Sequence, residues 1–160
     1  MLNIRIVCVG RLKERFYHDA ASEYLKRLSG YCRIEVAELA ECRIQGGPSD
    51  SQVMRALEKE AAAIERNLLA TARTVALCVE GREMTSRELS GMLAALAGGG
   101  MPRINFIVGG SYGLHKGIKA KADTALSMSK MTFPHNLARV MLLEQLYRAF
   151  TIIEGMKYDK

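Results

Sequence analysis

The chain has 160 residues, of which 49% are hydrophobic and 25% charged. This composition predicts one globular domain, residues 1–160, whose single core needs no metal or disulfide bond to hold it together. The formal net charge of +6 is too small for the dense basic tract of a disordered nucleic-acid tail, but it favours anionic partners. A solvated basic surface without any partner explains the charge equally well.

Cysteine and histidine spacing argues against two further classes of protein. The four cysteines show no C-x-x-C spacing and the three histidines are far apart, so we expect reduced structural thiols and no metal site. No apolar stretch is long enough to span a membrane, and no secretory segment precedes the first strand-like run. We therefore expect a cytoplasmic protein.

Strand and helix patterns alternate in the first half of the chain. The expected elements are a strand over Leu2–Val9, a helix over 16–30, a strand over Cys32–Leu39 and a helix ending near Leu69. Ser49 with Gln52 three positions later forms a capping-box pattern, which predicts where the second helix begins.

The same alternation continues in the second half. Thr74–Gly81 is almost continuously apolar, which predicts a central strand covered on both faces. Thr85 and Glu88 form a second capping-box pattern. The remaining expected elements are a helix ending near Leu96, a buried strand over Arg103–Gly110, a helix after Gly113, a short strand over 125–129 and a helix from Pro134 to about Phe150.

Five strands that alternate with five helices predict an α/β fold, with a mostly parallel sheet and helices on both faces. Ligands of such sheets bind at the carboxyl ends of the strands. Three successive strand ends carry the segments VEGRE, VGGSYGL and SMSKMTF. We expect the functional site where these segments meet.

The glycine-rich segment permits two interpretations. Gly109, Gly110 and Gly113 would let a ligand approach the backbone closely, but a turn that merely requires glycine fits equally well. The segment matches neither G-x-G-x-x-G nor the Walker pattern, so the fingerprints of dinucleotide and nucleoside-triphosphate sites are missing. Likewise, Met128–Phe133 reads either as a loop that flanks a flat heterocycle or as an ordinary buried loop.

The last helix is apolar around more than one face, which favours packing against both the sheet and a second subunit. Glu144 and Arg148 are spaced as an i,i+4 ion pair, which favours a stabilising role over a catalytic one. No Ser-His-Asp order, metal set or activated cysteine is apparent. A reaction that needs few protein groups therefore fits best.

Four segments of the chain together resemble one known family. GRLKERF, LCVEGREMTSRELS, VGGSYGLHK and the long block ALSMSKMTFPHNLARVMLLEQLYRAFTIIEGMKYDK resemble the RlmH (YbeA-type) family of ribosomal RNA large-subunit methyltransferases, within the SPOUT superfamily. The resemblance covers essentially the whole chain. It implies a homodimer with a C-terminal trefoil knot that uses S-adenosylmethionine to methylate N3 of a pseudouridine in helix 69 of 23S rRNA, in the assembled ribosome.

The resemblance also implies roles for particular residues. The positions that correspond to cofactor contacts are Leu77, Gly109, Gly110, Met128, Ser129, Lys130, Met131, Thr132 and Phe133. The C-terminal tail, with Tyr158, would serve catalysis, and His135 is a further catalytic candidate. The expected rRNA contacts are Arg148, Lys157 and Lys160, for which surface solvation is an alternative of equal weight.

Two positions depart from the family pattern. Family members usually end in Tyr-His-Lys or Tyr-His-Arg, whereas this chain has Asp159 in place of the histidine. An exposed Asp has a pKa of about 3.9, against about 6.5 for His, so it is a weaker base near neutral pH. Either Asp159 orients the uracil edge, or His135 or water takes the proton, or this enzyme is slower. Cys78 stands where an acidic residue is common.

The missing histidine keeps a second function open. The chain would then be an RNA-binding or ribosome-associated module that retains the SPOUT fold and dimer but does not transfer methyl groups. A small-nucleotide-binding regulatory domain is a third interpretation, and the missing Walker signature argues against it.

Overall fold

Strands and helices alternate along the chain in the computed structural model, which describes residues 1–158. The strands are β1 (Asn3–Val9), β2 (Arg33–Leu39), β3 (Arg73–Glu83), β4 (Arg103–Val108) and β5 (Thr124–Ser127). The helices are α1 (Arg15–Leu28), α2 (Asp50–Asn67), α3 (Ser86–Gly98), α4 (Lys116–Lys121) and α5 (His135–Ile153). Every element expected from the sequence is present, and the ends differ by a few residues.

The five strands form one sheet in the order β2-β1-β4-β3-β5, and all neighbouring pairs are parallel. The predicted parallel α/β fold is therefore confirmed. Because all strands run in the same direction, their carboxyl ends lie along one edge of the sheet. The loops after β1, β3, β4 and β5 consequently share that edge.

Helices cover both faces of the sheet, as predicted. On one face α1, α3 and α5 pack around Phe106, Ile6 and Leu143. On the other face α2 and α4 contribute Ile64 and Ile118 to a smaller cluster. The central strand β4 is buried from Ile104 to Val108 because it receives helices on both sides.

Both capping boxes predicted from the sequence are present. The Ser49 hydroxyl accepts a hydrogen bond from the N–H of Gln52 at the start of α2, and Thr85 accepts one from Glu88 at the start of α3. In each case the N–H of the capping residue donates to the side-chain oxygen of Gln52 or Glu88. Local sequence therefore fixes where these two helices begin.

Strand β3 departs from the prediction of a strand covered on both faces. Only Val75 and Ala76 are buried, because the register of β3 with β5 shifts after Leu77. Both Leu77 and Arg82 pair with Leu126 of β5, so the four residues between them form a bulge. An apolar run does not reveal such a bulge.

Helix α5 begins directly after Pro134 and ends at Ile153. Its Arg139 is only 2% exposed. The guanidinium donates to Glu38 Oε2 at the end of β2 (2.5 Å) and to the carbonyl of Gly10 after β1 (2.8 Å). This residue therefore connects α5 to two strand ends.

Among residues 1–158, no helix has the length and hydropathy of a membrane span.

Candidate functional site

A cavity of about 670 Å³ opens at the carboxyl ends of β3, β4 and β5, where the sequence predicted a site. Eight of the nine expected cofactor contacts line it: Leu77, Gly109, Gly110, Met128, Ser129, Met131, Thr132 and Phe133. Lys130 is exposed and is not part of the lining. The fold thus brings three separated segments of the sequence together around one cavity.

The bulge of β3 forms one wall of the cavity. Cys78, Val79 and Glu80 lie in the bulge and line the cavity, because the extra residues turn away from the ladder with β5. Gly81 allows β3 to resume its pairing with β5 after the bulge. A Cβ on this residue would lie 2.7 Å from the carbonyl carbon and oxygen of Ala125. A side chain at this position would therefore push β3 and β5 apart.

The glycine-rich loop after β4 forms the second wall. A Cβ on Gly109 would lie 2.6 Å from the carbonyl oxygen of Gly113, and one on Gly110 would lie 2.7 Å from Glu41 Oε1. The N–H of Gly113 donates to the carbonyl of Gly110 (3.0 Å), and Gly113 has a positive φ of 79°. The loop is therefore a tight turn in which the missing side chains let backbone and Glu41 approach each other.

The loop after β5 closes the third side. Ser127 donates its hydroxyl to the carbonyl of Ser129 (2.8 Å), and the Ser129 hydroxyl accepts a hydrogen bond from the N–H of Met131 (3.0 Å). These local bonds compact the loop at its start. Met131 is 73% exposed at the cavity rim, whereas Phe133 is half-buried in the wall.

The first turn of α5 places His135 in the same cavity. Its imidazole lies close to Gly10 and to the carboxylate of Glu41. Glu41 accepts a hydrogen bond from the N–H of Ser111 (2.7 Å). Burial by itself would raise the pKa of Glu41, but the hydrogen bonds from Ser111 and the nearby His135 and Lys13 lower it below its ordinary value. Glu41 is therefore a fixed negative charge behind the glycine loop.

The bulge wall carries an ion pair and a neutral thiol. Lys119 of α4 donates to Glu80, and this bond lowers the pKa of the Glu80 carboxyl. Burial and the neighbouring Glu80 raise the pKa of Cys78. The Cys78 side chain therefore stays a thiol at neutral pH and has none of the thiolate character of a nucleophile.

Tyr158 does not lie in the cavity of its own chain. Its hydroxyl donates to Glu144 Oε1 (3.2 Å), and its ring packs edge-on against Tyr147 with 4.9 Å between centroids. Tyr147 is nine residues beyond Ala138 of the cavity wall, roughly 13 Å along α5. Burial and the contacts with Tyr24 and Glu144 raise the pKa of Tyr158 to about 12, so the phenol is protonated at neutral pH.

Two of the three expected rRNA contacts, Arg148 and Lys157, lie at or just after this end of α5. Arg148 is bonded to Glu144 (2.6 Å), as the i,i+4 spacing predicted, and its guanidinium carbon lies 4.7 Å from the ring centroid of Tyr158. Lys157 is exposed. Asp159 and Lys160 lie outside the described residues. Tyr158 is thus separated from the cavity of its own chain.

Sequence reasoning missed several residues that shape the site. Glu41 follows β2 in a turn-rich segment, and no motif distinguishes it. The bulge of β3 and the need for Gly81 depend on pairing with β5, which only the folded sheet defines. Within residues 1–158 no group of three or more His, Cys, Asp or Glu side chains is arranged to hold a metal ion.

The whole sequence matches known proteins closely. A family described as "Predicted SPOUT methyltransferase" matches residues 2–159. A protein of Methanococcus maripaludis named "Putative ribosomal RNA large subunit methyltransferase H" is 44% identical over 99% of this chain and 100% of its own length. A protein of Clostridium beijerinckii named "Ribosomal RNA large subunit methyltransferase H" is 42% identical over the same shares.

A solved structure shares the fold alone. It is described as "a probable methylase family protein from Haemophilus influenzae Rd KW20", with a TM-score of 0.53 and 17% sequence identity, over 99% of this chain and 71% of the other. The family is assigned from the sequence matches and not from that structure. The chain therefore belongs to the SPOUT methyltransferase family.

Proposed function

We propose that this protein methylates N3 of a pseudouridine in helix 69 of 23S rRNA, in the ribosome, with S-adenosylmethionine as methyl donor. The observation that carries the proposal is the cavity at three strand ends, which is lined by eight of the nine expected cofactor contacts. Full-length relatives named ribosomal RNA large subunit methyltransferase H support an rRNA substrate.

The cavity fits a nucleoside-sized cofactor. Its volume of about 670 Å³ lies in the range of small-molecule sites, and apolar and polar residues line it together. Leu77, Met128 and Phe133 offer surfaces to a flat base, and Gly109 lines the cavity as part of the tight glycine loop. When bound, S-adenosylmethionine supplies a methyl group on a positively charged sulfur, ready for in-line displacement.

The chain's own residues must hold the acceptor and remove a proton. Transfer of the methyl group to N3 would also require loss of the N3 proton, so that the methylated base is neutral. His135 is an imidazole in the cavity wall, near the carboxylate of Glu41, and imidazole is the commonest general base of enzymes. His135 therefore takes the proton in this proposal, directly or through water.

The C-terminal tail takes part in the proposed reaction only if a second copy of the chain is present. Tyr158 is held by Glu144 and Tyr147, away from the cavity of its own chain. Leu137 and Met141 of α5 remain half-exposed, which leaves apolar surface for a partner helix. In the homodimer that we propose, each tail, with Tyr158 and Asp159, completes the cavity of the other subunit.

We also propose the C-terminal trefoil knot and a cytoplasmic location, which the resemblance implies. The chain after β5 returns to the end of β1, where Arg139 donates to the carbonyl of Gly10. Such a return across earlier strands is compatible with a threaded C-terminal segment.

Methyl transfer from labelled S-adenosylmethionine to large ribosomal subunits that lack the modification tests the function. We expect the wild-type protein to label the subunits and Gly109→Arg to fail, because an arginine side chain would collide with the backbone of Gly113 and displace the glycine loop from the cavity wall. Labelling by Asp159→His but not by wild type would instead identify a binding module that has lost the chemistry. Absence of labelling by both proteins would contradict the proposal.

A further inference from the structure

A second cavity, of about 860 Å³, opens at the carboxyl ends of β1 and β2. Ser111 and Tyr112, in the turn of the glycine loop, line both this cavity and the first one. The two cavities therefore lie on either side of one short turn. We call the second one the β1–β2 groove; its lining includes Arg11, Lys13, Arg43, Tyr112 and Asn136.

Cations predominate among the charged residues of the β1–β2 groove. Arg11 and Lys13 come from the segment GRLKERF, and Arg43 comes from the loop after β2; all three are exposed. Within residues 1–158, neither arginine forms an ion pair. Two carboxylates, those of Glu14 and Glu41, also line the groove. The carboxylate of Glu41 already accepts a hydrogen bond from the N–H of Ser111. The groove is therefore suited to an anion.

Two uncharged residues indicate what kind of anion fits. The side-chain oxygen of Asn136 is buried and has no hydrogen-bond partner among the described residues, so it lacks a donor. A ribose hydroxyl or a base N–H would supply one. Tyr112, at the shared turn, is 48% exposed, and a ring in this position can stack on an unpaired base. Phosphate, hydroxyl and base together are the chemistry of a polynucleotide.

We propose that the β1–β2 groove binds the RNA strand next to the nucleotide that is methylated. Phosphates lie against Arg11, Lys13 and Arg43, a base stacks on Tyr112, and the target nucleotide passes over the shared turn to the first cavity. Adjacency supports this assignment, because His135 lines the first cavity while the next residue, Asn136, lines the groove. The inference rests on the proposed function for the identity of the RNA.

Binding of large ribosomal subunits to fluorescently labelled protein, measured by anisotropy at several salt concentrations, tests the groove. Arg11→Gln with Arg43→Gln removes two positive charges from it. Arg55→Gln with Arg66→Gln is the matched control, since both arginines are exposed on α2 and line neither cavity. We expect the groove pair to weaken binding about tenfold and to reduce the salt slope by about 0.7 for each lost phosphate contact.

Equal losses in the two pairs, or a loss without a change in the salt slope, would overturn the groove assignment. Tyr112→Ala should weaken binding about tenfold whereas Tyr112→Phe retains it, because stacking needs only the ring. Equal binding by these two variants would exclude the stacking role.

Calorimetry with S-adenosylmethionine and the methyl-transfer assay separate this inference from the proposed function. The groove pair should bind S-adenosylmethionine as the wild type does, because Arg11 and Arg43 line the groove alone. If the wild type transfers methyl groups and the groove pair binds ribosomal subunits normally, the groove assignment fails and the function stands. If the groove pair loses ribosome binding while the wild type transfers nothing, the groove stands and the function fails.

Discussion

At the residue scale, the absence of a side chain at Gly109 shapes the cavity. A Cβ there would lie 2.6 Å from the carbonyl oxygen of Gly113 and 2.7 Å from its carbonyl carbon, so backbone would have to move. We predict that Gly109→Ala lowers the affinity for S-adenosylmethionine at least about tenfold, measured by calorimetry. Gly91→Ala is the control, since no atom lies within 4 Å of its added Cβ. Equal affinities of Gly109→Ala and wild type would contradict this account of the loop.

The Glu41 carboxylate gives a pH-dependent prediction. Its pKa in the folded state lies below the ordinary 4.5, because Ser111, His135 and Lys13 together outweigh the effect of burial. The charge therefore stabilises the fold above the ordinary pKa, and this contribution is lost as the pH falls through the lowered value. Glu41→Gln keeps an acceptor for Ser111, so its comparison with wild type reports the charge.

We accordingly expect the free energy of unfolding of wild type to exceed that of Glu41→Gln at neutral pH. This difference should disappear below about pH 4, where the carboxylate is protonated. Urea titrations at several pH values measure it. Glu58→Gln, at an exposed position of α2, is the control. A difference that stays constant from about pH 7 to about pH 3 would show that the Glu41 charge does not stabilise the glycine loop.

At the element scale, Arg139 attaches α5 to the ends of β1 and β2. Its guanidinium is buried and donates to Glu38 and to the Gly10 carbonyl. We predict that Arg139→Met lowers the free energy of unfolding by about 2–3 kcal/mol, because both charge-assisted bonds are lost. Arg15→Met should change it by less than about 0.5 kcal/mol, since Arg15 pairs with Asp19 on the exposed face of α1. Chemical denaturation of both variants checks the difference.

The pairing of β3 with β5 leads to a second prediction at this scale. Gly81→Ala should lower the free energy of unfolding by about 1–3 kcal/mol, because the new methyl group would meet the backbone of Ala125 and Leu126. Gly91→Ala should raise it by up to about 1 kcal/mol, since alanine is favoured over glycine in an exposed helix. Thermal unfolding of the pair distinguishes them, and stabilisation by both substitutions would contradict the described register.

The elements that were predictable are those that depend on local sequence. Ser49 and Thr85 predict where α2 and α3 begin, because a capping box involves residues only three positions apart. The three strand ends of the site were also predictable, because parallel strands place their carboxyl ends at one edge. The bulge after Leu77 was not, since it depends on the pairing with Leu126, far along the chain. Arg139 reads as an interruption of an apolar helix, and only the fold supplies Glu38 as its partner.

At the scale of the whole molecule, the separation of Tyr158 from the cavity gives a test of the homodimer. Gly109→Arg removes a working cavity, and truncation after Met156 removes a working tail. If each tail completes the cavity of the other subunit, a heterodimer of the two variants retains one complete site. An equal mixture, unfolded and refolded together, should recover about one quarter of wild-type methyl transfer, because half of the dimers are mixed and each has one site of two.

The alternative arrangement predicts a different result for that mixture. If the tail serves the cavity of its own chain, the heterodimer contains one chain without a cavity and one without a tail. No activity would then return. Size-exclusion chromatography of each variant alone shows whether that variant forms a dimer before mixing.

The chemical identity of the product tests the proposed methyl transfer to the pseudouridine. Large ribosomal subunits that lack the modification are incubated with the protein and S-adenosylmethionine, and the helix 69 fragment of 23S rRNA is analysed by nucleoside mass spectrometry. We expect wild type to convert one pseudouridine in that fragment to its N3-methyl form, and Gly109→Arg to leave the fragment unmodified. An unmodified fragment after treatment with wild type, or a methyl group on another nucleotide, would contradict the proposal.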